Sequence, residues 1–167
     1  MTVVSGRPVD AADVLRRAMR RHPAGVTVVT VPGPAGFTAT SFVSVSLRPA
    51  LVAFFLDESA SVAGAVRRAS HFGVHLLHQG HTEVAQRFAR SGADRFAGRA
   101  WHAGPADVPL LDGIDHLVAR TVSVWPVGDH LQVVGEVVGA STYRPAAPLV
   151  YHDGGYATAA PSGQPAA

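Results

Sequence analysis

Residues 36–46 read GFTATSFVSVS. Thr38, Thr40, Ser41, Ser44 and Ser46 set five hydroxyls into a run whose other members, Phe37, Phe42, Val43 and Val45 among them, have the character of a buried strand. A buried polar group left unpaired costs on the order of 1–3 kcal/mol, so hydroxyls this dense need partners. Two kinds of partner are open. A bound polar ligand is one; backbone groups and water around a strand-edge turn are the other, and composition does not choose between them.

Working outward, GVTVVTV at 25–31 is rich in β-branched residues, and PGPAG at 32–36 supplies a turn into the hydroxyl segment, so the two runs are expected to form a hairpin. Downstream, a strand is expected at 51–56 and a helix from Ser59 or Ser61 to Ala69, with Val62, Ala65 and Val66 inward. HFGVHLL at 71–77 suits a central strand, and 82–90 a helix with Val84 and Phe88 on its inner face. Residues 91–115 carry Gly92, Gly98, Gly104, Pro105, Pro109 and Gly113 and read as a long loop, of the kind that is often functional. The runs 116–125 and 130–141 alternate and are separated by four residues, which predicts an antiparallel pair. PLVYH at 148–152 makes a last short strand. Near the amino terminus Asp10 is placed to cap a short helix with Val14, Leu15, Ala18 and Met19 on one side and a flank of four arginines; His22-Pro23 ends it. The expected architecture is mainly β, an antiparallel barrel with peripheral helices, in one domain over 1–156. Residues 1–9 are expected to form a flexible arm and 157–167 a disordered tail.

The chain has 167 residues, 47% of them hydrophobic and 16% charged, enough for one packed domain. All fourteen basic residues are arginine, but the formal charge is only +2 and no aromatic interleaving accompanies them, which argues against nucleic acid. The absence of cysteine excludes disulfides, thiolate metal sites and cysteine nucleophiles. Nine histidines occur without an HExxH pattern; on a strand His71 and His75 share a face while His78 begins the next turn, so no metal site is expected. MTVVSGRPVDAADV carries early acids and no long apolar core, and no apolar run reaches membrane-spanning length. A cytoplasmic protein without membrane contact is the expectation.

PAGVTVVT, GFTATSFVSVSLRPALVAFFLD, HFGVHLL, RFARSGADRFAG, a tryptophan soon after, VPLL, GDHLQVVGEV and PLVYHDGGY resemble, in this order, the short-chain flavin reductases, the reductase components of two-component flavin monooxygenases. The resemblance runs from about residue 14 to 156. It implies an FMN-binding split β-barrel, a homodimer with flavin sites at the subunit interface, FMN as the preferred flavin with FAD possible, NADH or NADPH as substrate, and a partner oxygenase that receives reduced flavin.

By the same resemblance Thr38, Ala39, Thr40 and Ser41 would lie against the isoalloxazine edge, and Ser44, Val45 and Ser46 would continue toward the ribityl chain and phosphate. Arg87, ahead of Arg95, would bind the phosphate with its guanidinium fork, and Ser59 and Ser61 would add donors. His130, in Gly128-Asp129-His130, would bind or orient the nicotinamide, and Phe96 and Tyr156 would border the pocket. Where the family's strand commonly reads F-A-V-N, this chain has Phe72-Gly73-Val74-His75, placing His75 where an asparagine often approaches the flavin. That departure keeps a second reading open, a flavoprotein oxidase or oxygenase acting on a small organic substrate. A third is a non-catalytic flavin-binding or carrier protein.

Overall fold

TVVTV is a continuous run of β-branched residues, and the strand it forms is buried on both faces, which decides how the rest of the chain must be layered. The computed structural model describes residues 10–141 and 145–159. The expected arm at 1–9, and the part of the expected tail from residue 160 onward, lie outside the described residues.

After helix α1 (Ala11–Arg20) and a two-residue strand β1 (Ala24–Gly25) come β2 (Thr27–Val31), β3 (Ala35–Ala39), β4 (Val43–Leu47) and β5 (Ala50–Asp57). Helix α2 (Ala63–Arg68), β6 (His71–Leu76) and α3 (Thr82–Ala89) follow, then β7 (Trp101–Ala103), β8 (Pro109–Leu111), β9 (His116–Val127), β10 (His130–Ala140), β11 (Leu149–His152) and β12 (Gly155–Thr158). Seven strands form one antiparallel sheet in the order β3-β2-β6-β9-β10-β5-β4. The two long strands β9 and β10 join through Gly128 and Asp129, with Gly128 at φ +63 in the left-handed region that glycine tolerates. Two register shifts between them, at Val134/Gly135 and Val137/Gly139, are bulges that sharpen twist and let the sheet curl.

Curling brings Val29, Phe37, Phe54, Phe72, Val74 and Leu131 into one core. Phe54 stands at its centre, with ring centroids 5.7 Å from Phe37 and 5.2 Å from Phe72. Gly135 has no side chain because Phe72 lies there: a Cβ would come 2.4 Å from Phe72 Cζ. A second core packs Val84, Ala85 and Phe88 of α3 on Val26 and Val28, together with Leu77, Leu111 and Leu149. β2 is therefore covered from both sides.

Several expectations are corrected. The hydroxyl-rich run is two strands rather than one: β3 and β4 lie at opposite edges of the sheet, and β4 is mostly exposed. The helix expected from Ser59 or Ser61 begins at Ala63, because the Asp57 carboxylate accepts the N–H and hydroxyl of Ser59 and holds a turn there. The loop at 91–115 contains the hairpin β7–β8. Residues 157 and 158, assigned to the tail, belong to β12, which pairs with β11. Helix α1 is capped by Asp10 as expected, yet it buries none of its residues. Among the described residues no helix is long and apolar enough to cross a membrane, and no cluster of three or more metal-ligating side chains occurs.

Candidate functional site

The backbone ladder does not run all the way round, because β3 and β4 end the sheet on opposite sides. Ser41 bridges the gap. Its hydroxyl donates to the Phe55 carbonyl at 2.8 Å and accepts from the Phe55 N–H at 3.0 Å, so one side chain does what a neighbouring strand would do for β5 beyond the end of β4. Thr38 donates to the Ala85 carbonyl of α3 at 2.6 Å, and Ser46 accepts the Arg48 N–H at 3.2 Å. Three of the five hydroxyls thus have protein partners. The Thr40 and Ser44 hydroxyls are exposed and hydrogen-bond to no group among the described residues.

Thr40 and Ser41 open on a cavity of about 610 Å³. Val43, Phe55 and Tyr151 give it apolar surface; Met19 and Arg20 of α1 overhang it, and the Asp153-Gly154 turn between β11 and β12 closes one side. Val52, Phe54 and Leu56 of β5 point into the core, so the alternate residues Ala53, Phe55 and Asp57 face outward. Antiparallel register then sets Phe55, Gln132 and Trp125 in one row on the outer face, and Asp57, His130 and Val127 in the next, about 7 Å further along the strands.

In that second row His130 Nδ1 lies 2.6 Å from Asp129 Oδ1, a contact that puts the Nδ1 proton toward the carboxylate and leaves Nε2 for a ligand. Asp57 accepts the Ser59 hydroxyl at 2.6 Å and the Ser59 N–H at 2.8 Å. Those two hydrogen bonds, with a smaller contribution from nearby His130, hold its carboxyl below the usual range.

The other expected site residues lie elsewhere. His75 does not approach the cavity: it is fully buried, with Nδ1 donating to the Val28 carbonyl at 3.2 Å and Nε2 accepting the Leu111 N–H at 2.9 Å. Desolvation pulls its pKa down to about 3, so the ring is neutral and clamps β8 onto β2. Arg87 donates to the Ala97 carbonyl and lines a separate cavity of about 180 Å³ with Glu83 and Arg99. Arg95 donates to the Gly36 carbonyl at 2.6 Å, and burial lowers its pKa. Phe96 packs edge-on against Phe88 and Trp101, with centroids at 5.2 and 5.6 Å. Tyr156 packs against the second core and meets Tyr151 edge-on, which places it behind the cavity wall. Ala39 is buried, and Val45 and Ser61 are exposed away from the residues that line the cavity. Sequence reading missed Phe55, Met19, Arg20 and Tyr151. The alternation in ALVAFFLD already turns Phe55 away from Phe54, and α1 already aligns Met19 with its arginines.

Residues 19–160 match the family described as the flavin reductase-like domain. The chain belongs to this family. It is 45% identical over 158 residues to the NADH:FMN oxidoreductase of Rhodococcus erythropolis, covering 89% of this chain and 82% of that one. It is 41% identical over 150 residues to the actinorhodin polyketide dimerase of Streptomyces coelicolor, covering 86% and 85%. Among solved structures, the NADH:FAD oxidoreductase of Streptomyces globisporus C-1027, in complex with NAD and FAD fragments, superposes with a TM-score of 0.86 at 33% identity, covering 95% of this chain and all of that one. The architecture is the split barrel of the flavin reductase-like family, with Ser41 at the split.

The cavity suits the family's cofactor. A flavin nucleotide has an apolar ring body with polar edges and an anionic tail; here Phe55, Val43 and Tyr151 face the hydroxyls of Thr40 and Ser41, with arginine and histidine on the α1 side.

Proposed function

We propose that this flavin reductase-like protein oxidises NADH or NADPH and reduces flavin, FMN in preference, and that reduced flavin then serves a monooxygenase partner in the cytoplasm. The observation that carries the reading is the cavity beside Thr40 and Ser41 in a chain 45% identical to an NADH:FMN oxidoreductase. Relatives at 38% and 31% identity are the reductase component of a trigonelline monooxygenase and the reductase subunit of another flavin-dependent monooxygenase, which supports the partner.

Bound flavin would supply the hydride acceptor, and hydride transfer from nicotinamide needs no protein acid or base. The side chains therefore bind and orient. Thr40 offers its uncommitted hydroxyl, while Ser41, committed to Phe55, fixes the turn that presents it. His130, with Asp129 on Nδ1, offers Nε2 to the nicotinamide carboxamide or its ribose. The outer face also supports a homodimer: Val43 on β4, and Trp125 and Val127 on β9, expose 49, 64 and 50% of their surface on the same sheet, and a second copy would cover them.

Anaerobic titration with NADH tests the enzyme. Flavin absorbance in the presence of the protein should bleach at a rate proportional to protein, with either nucleotide or both. A flavin that stays yellow would identify a carrier and sink the proposal. The similarity to a polyketide dimerase favours a second reading, in which flavin stays bound and acts on an organic substrate. Flavin retained through gel filtration, with free FMN a poor substrate, would select it.

A further inference from the structure

We propose that the side of the Thr40–Ser41 cavity formed by Arg16 and His22, from α1 and its exit, and by His152 on β11 is a binding site for a phosphate group of a nucleotide. The proposal rests on the reading that this cavity takes a flavin or nicotinamide nucleotide. It moves the anion subsite away from Arg87, which opens on a different cavity and spends a guanidinium nitrogen on the Ala97 carbonyl.

Charge is the first argument. The ionisable groups lining the cavity from every side are Arg16, Arg20, His22, His152, Tyr151 and Asp153. The one carboxylate is already engaged, since Arg20 Nε donates to Asp153 Oδ1 at 3.2 Å and Arg20 Nη2 to the Asp153 carbonyl at 3.1 Å. What remains facing the space is one guanidinium and two imidazoles. The cavity lies toward the carboxyl end of α1, whose partial negative charge is opposed by Arg17 and Arg20 in the last turn.

Placement is the second. Helix α1 buries no residue, yet its position is fixed: beyond the Arg20 contacts, the Asp153 N–H donates to the Arg20 carbonyl at 2.8 Å. The turn is shaped around this clasp, with Asp153 at φ +48 and Gly154 at φ +83, and a Cβ on Gly154 would stand 2.9 Å from Arg20 Nη2. Arg16 sits one turn back from Met19 and Arg20 on α1, at i,i+3 and i,i+4 spacing, so a clasp at Arg20 holds it over the cavity. Arg16 is otherwise tied only to Asp13, in an exposed pair of a kind that contributes little and yields readily to a better acceptor.

The phosphate has two possible sources, the flavin's own or the diphosphate of the nicotinamide dinucleotide, and one set of variants separates them. Arg16→Gln and the double variant Arg16→Gln/His22→Gln are compared with the parent for affinity toward FMN and riboflavin, and for KM with NADH and with a phosphate-free dihydronicotinamide. Loss of a charge-assisted contact should weaken the phosphate-bearing ligand about tenfold and leave its phosphate-free analogue within about twofold. A selective loss for FMN assigns the site to flavin phosphate; a selective rise in KM for NADH assigns it to the dinucleotide. Arg16→Lys should restore most of the loss, and the discrimination should shrink with added salt. Equal effects on both members of each pair, or none, overturn the inference while leaving flavin reduction standing. A parent protein that binds neither FMN nor riboflavin overturns both. Arg16 is exposed, so an unchanged thermal midpoint is expected in every variant and excludes misfolding as the cause.

Discussion

Ser41 and Thr40 are adjacent hydroxyls with opposite duties. Replacing Ser41 by alanine leaves the N–H and carbonyl of Phe55 without their partner at the edge of β5. The expected cost is on the order of 1–3 kcal/mol of stability, read as a lower urea midpoint. Thr40→Val should leave that midpoint nearly unchanged, since surface substitutions of this kind stay within about 0.5 kcal/mol, and should instead weaken flavin binding. Reversed outcomes would mean that the cavity is not the flavin site. Hydroxyl density along 36–46 does point to unmet polar demand, but it cannot assign the partners. Ser41 finds its partner fourteen residues on and Thr38 forty-seven residues on, and both pairings exist only after the sheet has curled. The same holds for His75. Alternation turns it inward, but its second partner is the N–H of Leu111, on a strand too short to be read from the sequence.

At the level of elements, that histidine makes the junction of β2, β6 and β8 sensitive to acid. Folded His75 has a pKa of about 3 against an ordinary 6.5, so the unfolded chain binds the extra proton between those values. Its contribution is complete above about pH 6.5 and is lost progressively as pH falls toward 3. Protonation would also set Nε2–H against the Leu111 N–H, two donors face to face. Denaturation curves at pH 7 and pH 4.5 should show a smaller loss on acidification for His75→Gln than for the parent; equal slopes would refute the clamp. In β10, Gly135→Ala should destabilise by about 1–3 kcal/mol, because the added methyl meets the Phe72 ring at the bulge. A thermal midpoint equal to the parent's would show that Phe72 can move aside. Long alternating strands such as β9 and β10 declare themselves in sequence. The hairpin β7–β8 does not, since three residues per strand are too few for a period to emerge, and β12 is hidden by its small residues.

For the molecule as a whole, the exposed apolar rows on β4, β9 and β10 predict self-association. Sedimentation velocity should find a dimer, and Trp125→Asp should convert it to a monomer that keeps its secondary structure; a monomeric parent would refute this. Strand order was beyond the sequence, because the three-residue bend at 40–42 joins the two outermost strands of the sheet, whose edges come together only once the sheet has curled. That bend leaves the barrel joined at one place by a side chain instead of a ladder, and Phe55, whose amide lies in the join, also borders the cavity. The amide hydrogen of Phe55 is therefore a built-in reporter. In deuterated water its exchange should track the opening of the seam, and a ligand seated against Thr40 and Ser41 should slow that exchange in proportion to occupancy.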